Sequence, residues 1–161
     1  MKAKNNETGE LYNLYENKER GFSIKYPNGW VMIEKFQGAD VIFFRPEKIF
    51  KKGFRDNVNV NVQSVSNEDE LKNYAQVSME RLKTLIPGFT LVSERESAVS
   101  DLPSYEVTYT GAYKKKQELK WMQVIVKKGN QIYIITCAAI KDAFEGFLKN
   151  AQPMIDSFKL S

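Results

Sequence analysis

No histidine occurs in this chain, and cysteine occurs once, at Cys137. The first absence removes Ser-His-Asp and Cys-His nucleophile pairs, together with imidazole-held zinc, iron or copper. The second removes any disulfide within the chain and any thiolate metal cluster. It does not fix the compartment, because exported proteins often carry no bridges. The chemistry left to the chain is that of carboxylates, lysine and tyrosine, and a metal would have to be a hard, oxygen-ligated ion such as calcium or magnesium. No apolar run approaches the ~20 residues of a membrane-spanning helix. The opening MKAKNNETGELYNLYENKER begins with charge but lacks the apolar stretch of a signal peptide. Either the chain works in the cytosol from a native start at Met1, or an export segment has been cut away ahead of it. The abrupt KNNETGE favours the second reading, because it resembles the tether after a cleaved or lipidated leader. Arginine is scarce beside lysine, which argues against a dedicated reader of bases or phosphates.

What is present suits one globular domain. The 161 residues are 42% apolar and 12% aromatic, enough for a real core. Lysine and arginine number 24 against 20 acidic residues, for a net charge of +4. That mild excess suits an anionic membrane surface or an acidic protein, and the expectation is a monomer that binds no nucleic acid. Residues 1–19 lack periodicity and read as a polar linker or tether, in which Leu11, Tyr12, Leu14 and Tyr15 suggest a short helical turn. Residues 20–161 form the domain.

From Phe22 onward, two-residue alternation takes over. Phe22, Ile24 and Tyr26 share a face, Pro27-Asn28-Gly29 is turn chemistry, and Trp30 restarts a strand, so GFSIKYPNGW reads as the first hairpin of a sheet. DVIFFRP is a short strand ended by Pro46. In NVNVNVQSV, Val58, Val60 and Val62 face a core and the asparagines form the opposite row. SNEDELKNYAQVSMERLKTLIPG is a helix capped by Ser66 or Asn67, with Leu71, Tyr74, Ser78, Leu82 and Leu85 inward and Pro87-Gly88 as its stop. FTLVSERESAVS, LPSYEVTYTGAY, ELKWMQVIVKK and QIYIITCAAI are strands, the last two joined by a Gly129-Asn130 hairpin turn. A final helix carries Phe144, Phe147, Leu148, Ala151, Ile155 and Phe158 at helical spacing. Asp142 and Glu145 make a capping-type pair, and Pro153 predicts a kink or a restart. The order specifies an α+β architecture, an antiparallel sheet with helices packed on it.

Four pieces in this order, GFSIKYPNGW, DLPSYEVTYTG, WMQVIVKKGNQIYIITCAA and MIDSFKL, resemble the PsbP family, the extrinsic oxygen-evolving-complex proteins of photosystem II and their bacterial relatives. The resemblance spans about residues 20 to 160 and implies the Mog1/PsbP-like fold, with an antiparallel sheet flanked by helices on both faces in an αβα sandwich. It also implies a non-enzymatic protein. Photosynthetic members are lumenal subunits that bind a membrane complex and help retain calcium and chloride, and many bacterial members are exported lipoproteins. Metal sites proposed for plant members use histidine, so none carries over. The expectation is no cofactor, with calcium entering only through the resemblance. The N-terminal segment by which plant members engage the photosystem has no clear match in residues 1–19. Both departures point to a bacterial relative, and no functional residue transfers.

Candidate sites rest on the residues themselves. KIFKKGFR interleaves Lys48, Lys51, Lys52 and Arg55 with Phe50 and Phe54, a mix suited to docking on an anionic membrane or acidic partner. The plainer alternative is a solvated loop whose phenylalanines tuck into the core. Lys114, Lys115 and Lys116 sit at a hairpin tip, where they either protect solubility or contact acidic groups. Asn57, Asn59, Asn61 and Gln63 either line a polar groove or, as the favoured reading, face outward. Tyr105, Tyr109 and Tyr113 share a face with Val107, lining a cleft or lying beneath a helix. SNEDE lacks the spacing of a calcium loop and fits a helix N-terminus better, and Glu94 with Glu96 makes an acid/base pair only if a pocket holds them. The leading expectation is a membrane-tethered, extracytoplasmic accessory protein that docks onto a membrane-associated protein complex. The alternatives are a photosystem II extrinsic subunit, a carboxylate-based hydrolase, and a cytosolic GTPase-binding module as the Mog1 branch suggests.

Overall fold

Period-two apolar patterning dominates the computed structural model, which describes residues 11–46, 53–114 and 117–161 and the backbone of residues 2–4. Along the chain run β1 (Lys2–Lys4), β2 (Leu11–Asn17), β3 (Phe22–Pro27), β4 (Val31–Phe36), β5 (Ala39–Phe44) and β6 (Asn57–Ser64). Helix α1 (Leu71–Leu85) follows, then β7 (Thr90–Val99), β8 (Leu102–Tyr113), β9 (Gln117–Lys128) and β10 (Gln131–Ile140). After a 3₁₀ turn at Lys141–Ala143 come α2 (Phe144–Asp156) and β11 (Lys159–Leu160). The strands form a seven-stranded sheet, β4-β5-β6-β10-β9-β8-β7, and a four-stranded one, β1-β2-β3-β11, with every pairing antiparallel. Among the described residues, no helix is long and apolar enough to cross a membrane.

Two cores sit on opposite faces of the large sheet. On one face the valine row Val58, Val60 and Val62, with Phe43, Val124 and Ile135, packs against Phe22 and Ile24 of the small sheet and Phe144, Phe147 and Met154 of α2. On the other, Ala75 and Met79 of α1 cover Tyr105, Val107, Tyr109, Ile125 and Ile132. A helix therefore lies on each face, as the alternation and the final helical stripe require. Burying each of the larger side chains contributes on the order of 1.5–3 kcal/mol. Cys137 is one of these buried hydrophobes, and burial pushes its thiol pKa up, away from reactivity.

Several local expectations are corrected. Phe22–Pro27 and Val31–Phe36 do not form a hairpin, because β3 belongs to the small sheet and β4 to the large one. The turn closes with the Trp30 N–H donating to Pro27 O at 3.2 Å, and Gly29 takes a φ of +94°. Trp30 then stacks on Phe147 of α2, with ring centroids 6.2 Å apart, and the chain leaves toward the other sheet. Leu11–Asn17 is a strand paired with β3 rather than a helical turn. Its buried member, Tyr15, packs edge-on to Phe43 and donates to Glu34 Oε2 at 2.8 Å, a tertiary arrangement that its polar neighbours conceal. Helix α1 starts at Leu71, because Ser66 and Asp69 close their own turn, the Asp69 carboxylate accepting from the Ser66 N–H at 3.2 Å. Its buried stripe is Ala75 and Met79, with Leu71, Tyr74 and Leu82 partly covered, while Leu85 is exposed. Helix α2 runs unbroken through Pro153, and neither Asp142 nor Glu145 caps it with a side-chain hydrogen bond. The packing of Met154 and Ile155 on the sheet offsets the backbone bond the proline cannot make.

Candidate functional site

Residues opposite one another in an antiparallel ladder project to the same face. The register therefore sets Phe44, Asn57, Ala138, Trp121 and Tyr109 in one row across the large sheet, and Ile42, Asn59, Thr136 and Gln123 in the next. Helix α1 covers the β8–β10 end of this face and leaves the β5–β6 end open. A groove of about 270 Å³ results. Its floor is Ile42, Asn57, Asn59, Asn61, Thr136 and Ala138, and around it stand Phe36 and Gln37 from the β4–β5 turn, Phe54 from the loop before β6, and Trp121. Among the described residues lining it, none carries a charge.

The floor is held by its own hydrogen bonds. Buried Asn57 donates through Nδ2 to Arg55 O at 3.0 Å and accepts at Oδ1 from Asn59 Nδ2 at 3.2 Å. Asn61 Nδ2 donates to Gly38 O at 3.1 Å, tying β6 to the β4–β5 turn. On the α1 side, Trp121 stacks on Tyr109 at 5.1 Å and 22°, and Tyr109 stacks in turn on Phe89. The outward-facing expectation for Asn57, Asn59 and Asn61 is thus corrected to a groove floor, while Gln63 at the far end is exposed. Tyr105, Val107 and Tyr109 lie beneath α1, and Tyr113 instead reaches Phe54.

Burial raises the phenol pKa of Tyr109, and burial followed by the hydrogen bond to Glu34 raises that of Tyr15. In the unfolded chain both titrate near pH 10, so the folded state keeps protons that the unfolded state releases. Their contribution is complete below about pH 10 and is lost as pH rises above it. Tyr109→Phe is expected to unfold at the same urea concentration as wild type at pH 7 to within a few tenths molar, and to be the more stable protein at pH 11. Equal alkaline sensitivity in both proteins refutes this assignment.

One rim of the groove carries cations on aromatic rings. Phe54 meets Tyr113 edge-to-face at 5.3 Å, the Lys114 ammonium lies 5.4 Å from the centre of the Tyr113 ring, and the Arg55 guanidinium lies 4.8 Å from that of Phe44. Arg45 pairs with Asp56 at 3.4 Å beside them. Arg55 and Lys114, which the sequence assigns to two separate basic loops, are therefore brought to the same end of the sheet. Lys48, Phe50, Lys51, Lys52, Lys115 and Lys116 lie outside the described residues.

The acidic groups do not assemble comparably. Glu94 and Glu96 are exposed on the edge strand β7. Among the described residues, no group of three or more histidine, cysteine, aspartate or glutamate side chains is placed to hold a metal ion.

A seven-stranded antiparallel sheet with one helix on each face and a second small sheet defines the Mog1/PsbP-like class of α+β protein. A family model described as PsbP matches residues 10–160, and the chain belongs to the PsbP family. Comparison with curated protein sequences finds no match. Among solved structures, it is similar to the cyanobacterial PsbP (CyanoP) of Synechocystis, with 14% identity and a TM-score of 0.68 over 99% of this chain and 98% of that one. It is also similar to LpqN of Mycobacterium tuberculosis, described as involved in cell envelope biogenesis, with 9% identity and a TM-score of 0.66 over 100% and 90%. The Ran-binding protein Mog1p of Saccharomyces cerevisiae gives 10% identity and a TM-score of 0.66 over 94% and 96%. At these identities the likeness speaks to the fold.

Proposed function

We propose that this chain is a non-catalytic accessory protein, tethered outside the cytoplasm, that docks onto a membrane-associated protein complex. The observation that carries the reading is the joined rim of Arg55, Phe44, Phe54, Tyr113 and Lys114 beside the asparagine-floored groove. Cations mounted on aromatic rings suit attraction to an acidic partner followed by desolvated contact. The description of Mog1p as Ran-binding supports use of this fold for protein binding. An upstream leader ending in a lipidation cysteine in the complete gene would strengthen the tether. The same docking chemistry covers the lysines Lys48, Lys51, Lys52, Lys115 and Lys116.

The test is capture of a membrane protein from native membranes by the purified chain and by an Arg55→Glu/Lys114→Glu variant. The variant is expected to lose capture on the order of tenfold at physiological ionic strength, with both proteins falling toward a common low level near 1 M salt. Unchanged capture by the variant, or equal binding to protein-free anionic vesicles, would overturn the proposal.

A further inference from the structure

We propose that the groove binds an extended, uncharged peptide segment of the docking partner, gripped through its backbone amides by Asn59 and Asn61. This deepens the docking reading and rests on it. Asparagines at every second position of β6 project to one face and repeat at ~7 Å. An extended chain laid along β6 repeats at the same interval, presenting the N–H and C=O of every second residue to one side. The row therefore matches a peptide backbone in spacing before any side chain is considered.

Its hydrogen-bonding capacity matches as well. Asn57 is committed at both ends, to Arg55 O and to Asn59 Nδ2. Asn59 spends one amide hydrogen on Asn57 and Asn61 spends one on Gly38 O. Each side-chain amide has two hydrogens and an acceptor oxygen. Among the described residues, no donor reaches Oδ1 of Asn59 or of Asn61, so each offers an acceptor and a second donor. That pair is the complement of a backbone N–H and C=O. The bonds already made fix both side chains, so little rotamer freedom is lost when a segment arrives.

Charge selects further. With no charged residue among the described ones lining the groove, a lysine or glutamate pressed onto the floor would lose its hydration without gaining a partner among them. The segment is neutral over the asparagines. Arg55 and Lys114 on the rim complement an acidic residue just beyond it. Phe54, Trp121 and the small Ala138, which faces Trp121 in the ladder, give the groove an apolar stretch suited to an apolar side chain, and Trp121 is stacked on Tyr109.

The experiment selects binders from a phage library of random nonapeptides on the intact chain and synthesises the best one. Binding is followed by tryptophan fluorescence and by amide chemical shifts. N-methylation at alternate positions of the peptide is expected to weaken binding about three- to tenfold per position, and methylation between them to do little. Asn59→Ala/Asn61→Ala should cost about tenfold or more, with thermal unfolding confirming its fold. Asn61→Asp, of the same shape, should also reject the peptide. The inference is overturned if no selected peptide depends on Asn59 and Asn61, if methylation is tolerated everywhere, if maltoheptaose shifts the same amides, or if a second copy of the chain fills the groove. Should these arms fail while Arg55→Glu/Lys114→Glu still loses membrane capture, docking stands without the peptide; should capture also be unaffected, both readings fall.

Discussion

Phe22→Ala is expected to lower the unfolding free energy by about 3–5 kcal/mol, the range for emptying a buried phenylalanine site. The position is more consequential than its burial alone indicates. Phe22 is 1% exposed, and its ring meets Tyr15 at 5.9 Å, Phe158 at 5.7 Å and Tyr133 at 6.2 Å. Those three rings come from β2, the segment after α2, and β10, so one side chain joins the small sheet to the large one. The hydrogen bond from the Tyr133 hydroxyl to Arg20 O, 2.8 Å, crosses the same junction. For a chain of this size the loss corresponds to a fall in Tm of about 6–20 °C. Phe22→Leu, which refills most of the volume, should recover over half of it. A Tm for Phe22→Ala within a few degrees of wild type would show that the small sheet is not held by this ring.

Gly111→Ala is expected to cost about 1–3 kcal/mol by overpacking, although it adds one methyl group to a strand. A Cβ at Gly111 would lie 2.2 Å from Ile86 Cγ2 and 3.4 Å from both Pro87 O and Trp121. Ile86 Cγ2 is anchored at the branch point of its side chain, so relief requires the end of α1 to lift away from β8. The Ala112 N–H donates to Pro87 O at 2.8 Å, and that amide should exchange faster with solvent in the variant. Ile86→Ala removes the clashing carbon, so the double variant should be less destabilised than the sum of the two single changes. Simple additivity would place the damage elsewhere. Because Trp121 touches both this contact and the groove, Gly111→Ala should also weaken peptide binding, and Ile86→Ala should restore part of it.

Much of the fold was legible because its signals are local. Gly129-Asn130 between two alternating runs forms the β9–β10 turn it implies, and the β6 valines and the α2 phenylalanines line the core. The misread places are those where one local signal serves two tertiary outcomes. Pro27-Asn28-Gly29 suits a hairpin and a crossing between sheets equally well, and the site of Trp30 packing decided between them. Leu11 to Tyr15 carries its alternation under polar neighbours, so only pairing with β3 exposes it as a strand. The site was less legible still. A polar row on a strand looks the same whether it faces solvent or a groove, and Asn57, Asn59 and Asn61 became a floor because Phe36, Gln37 and Phe54 rise around them. Nothing near Arg55 or Lys114 in the chain announces that they share one end of the sheet, since the Phe54–Tyr113 contact that joins them links residues 59 positions apart.

The halves of the large sheet are stitched together by one ladder, β6 to β10, in which Asn57 faces Ala138 and Asn59 faces Thr136. As the polypeptide leaves the ribosome, β6 thus finds β5 on one side and waits on its other side until the tenth strand has been made. The binding floor does not exist in any nascent fragment that ends before it. The partner recognition proposed for this floor would in that sense be a certificate of completion, issued only to chains whose two halves have closed.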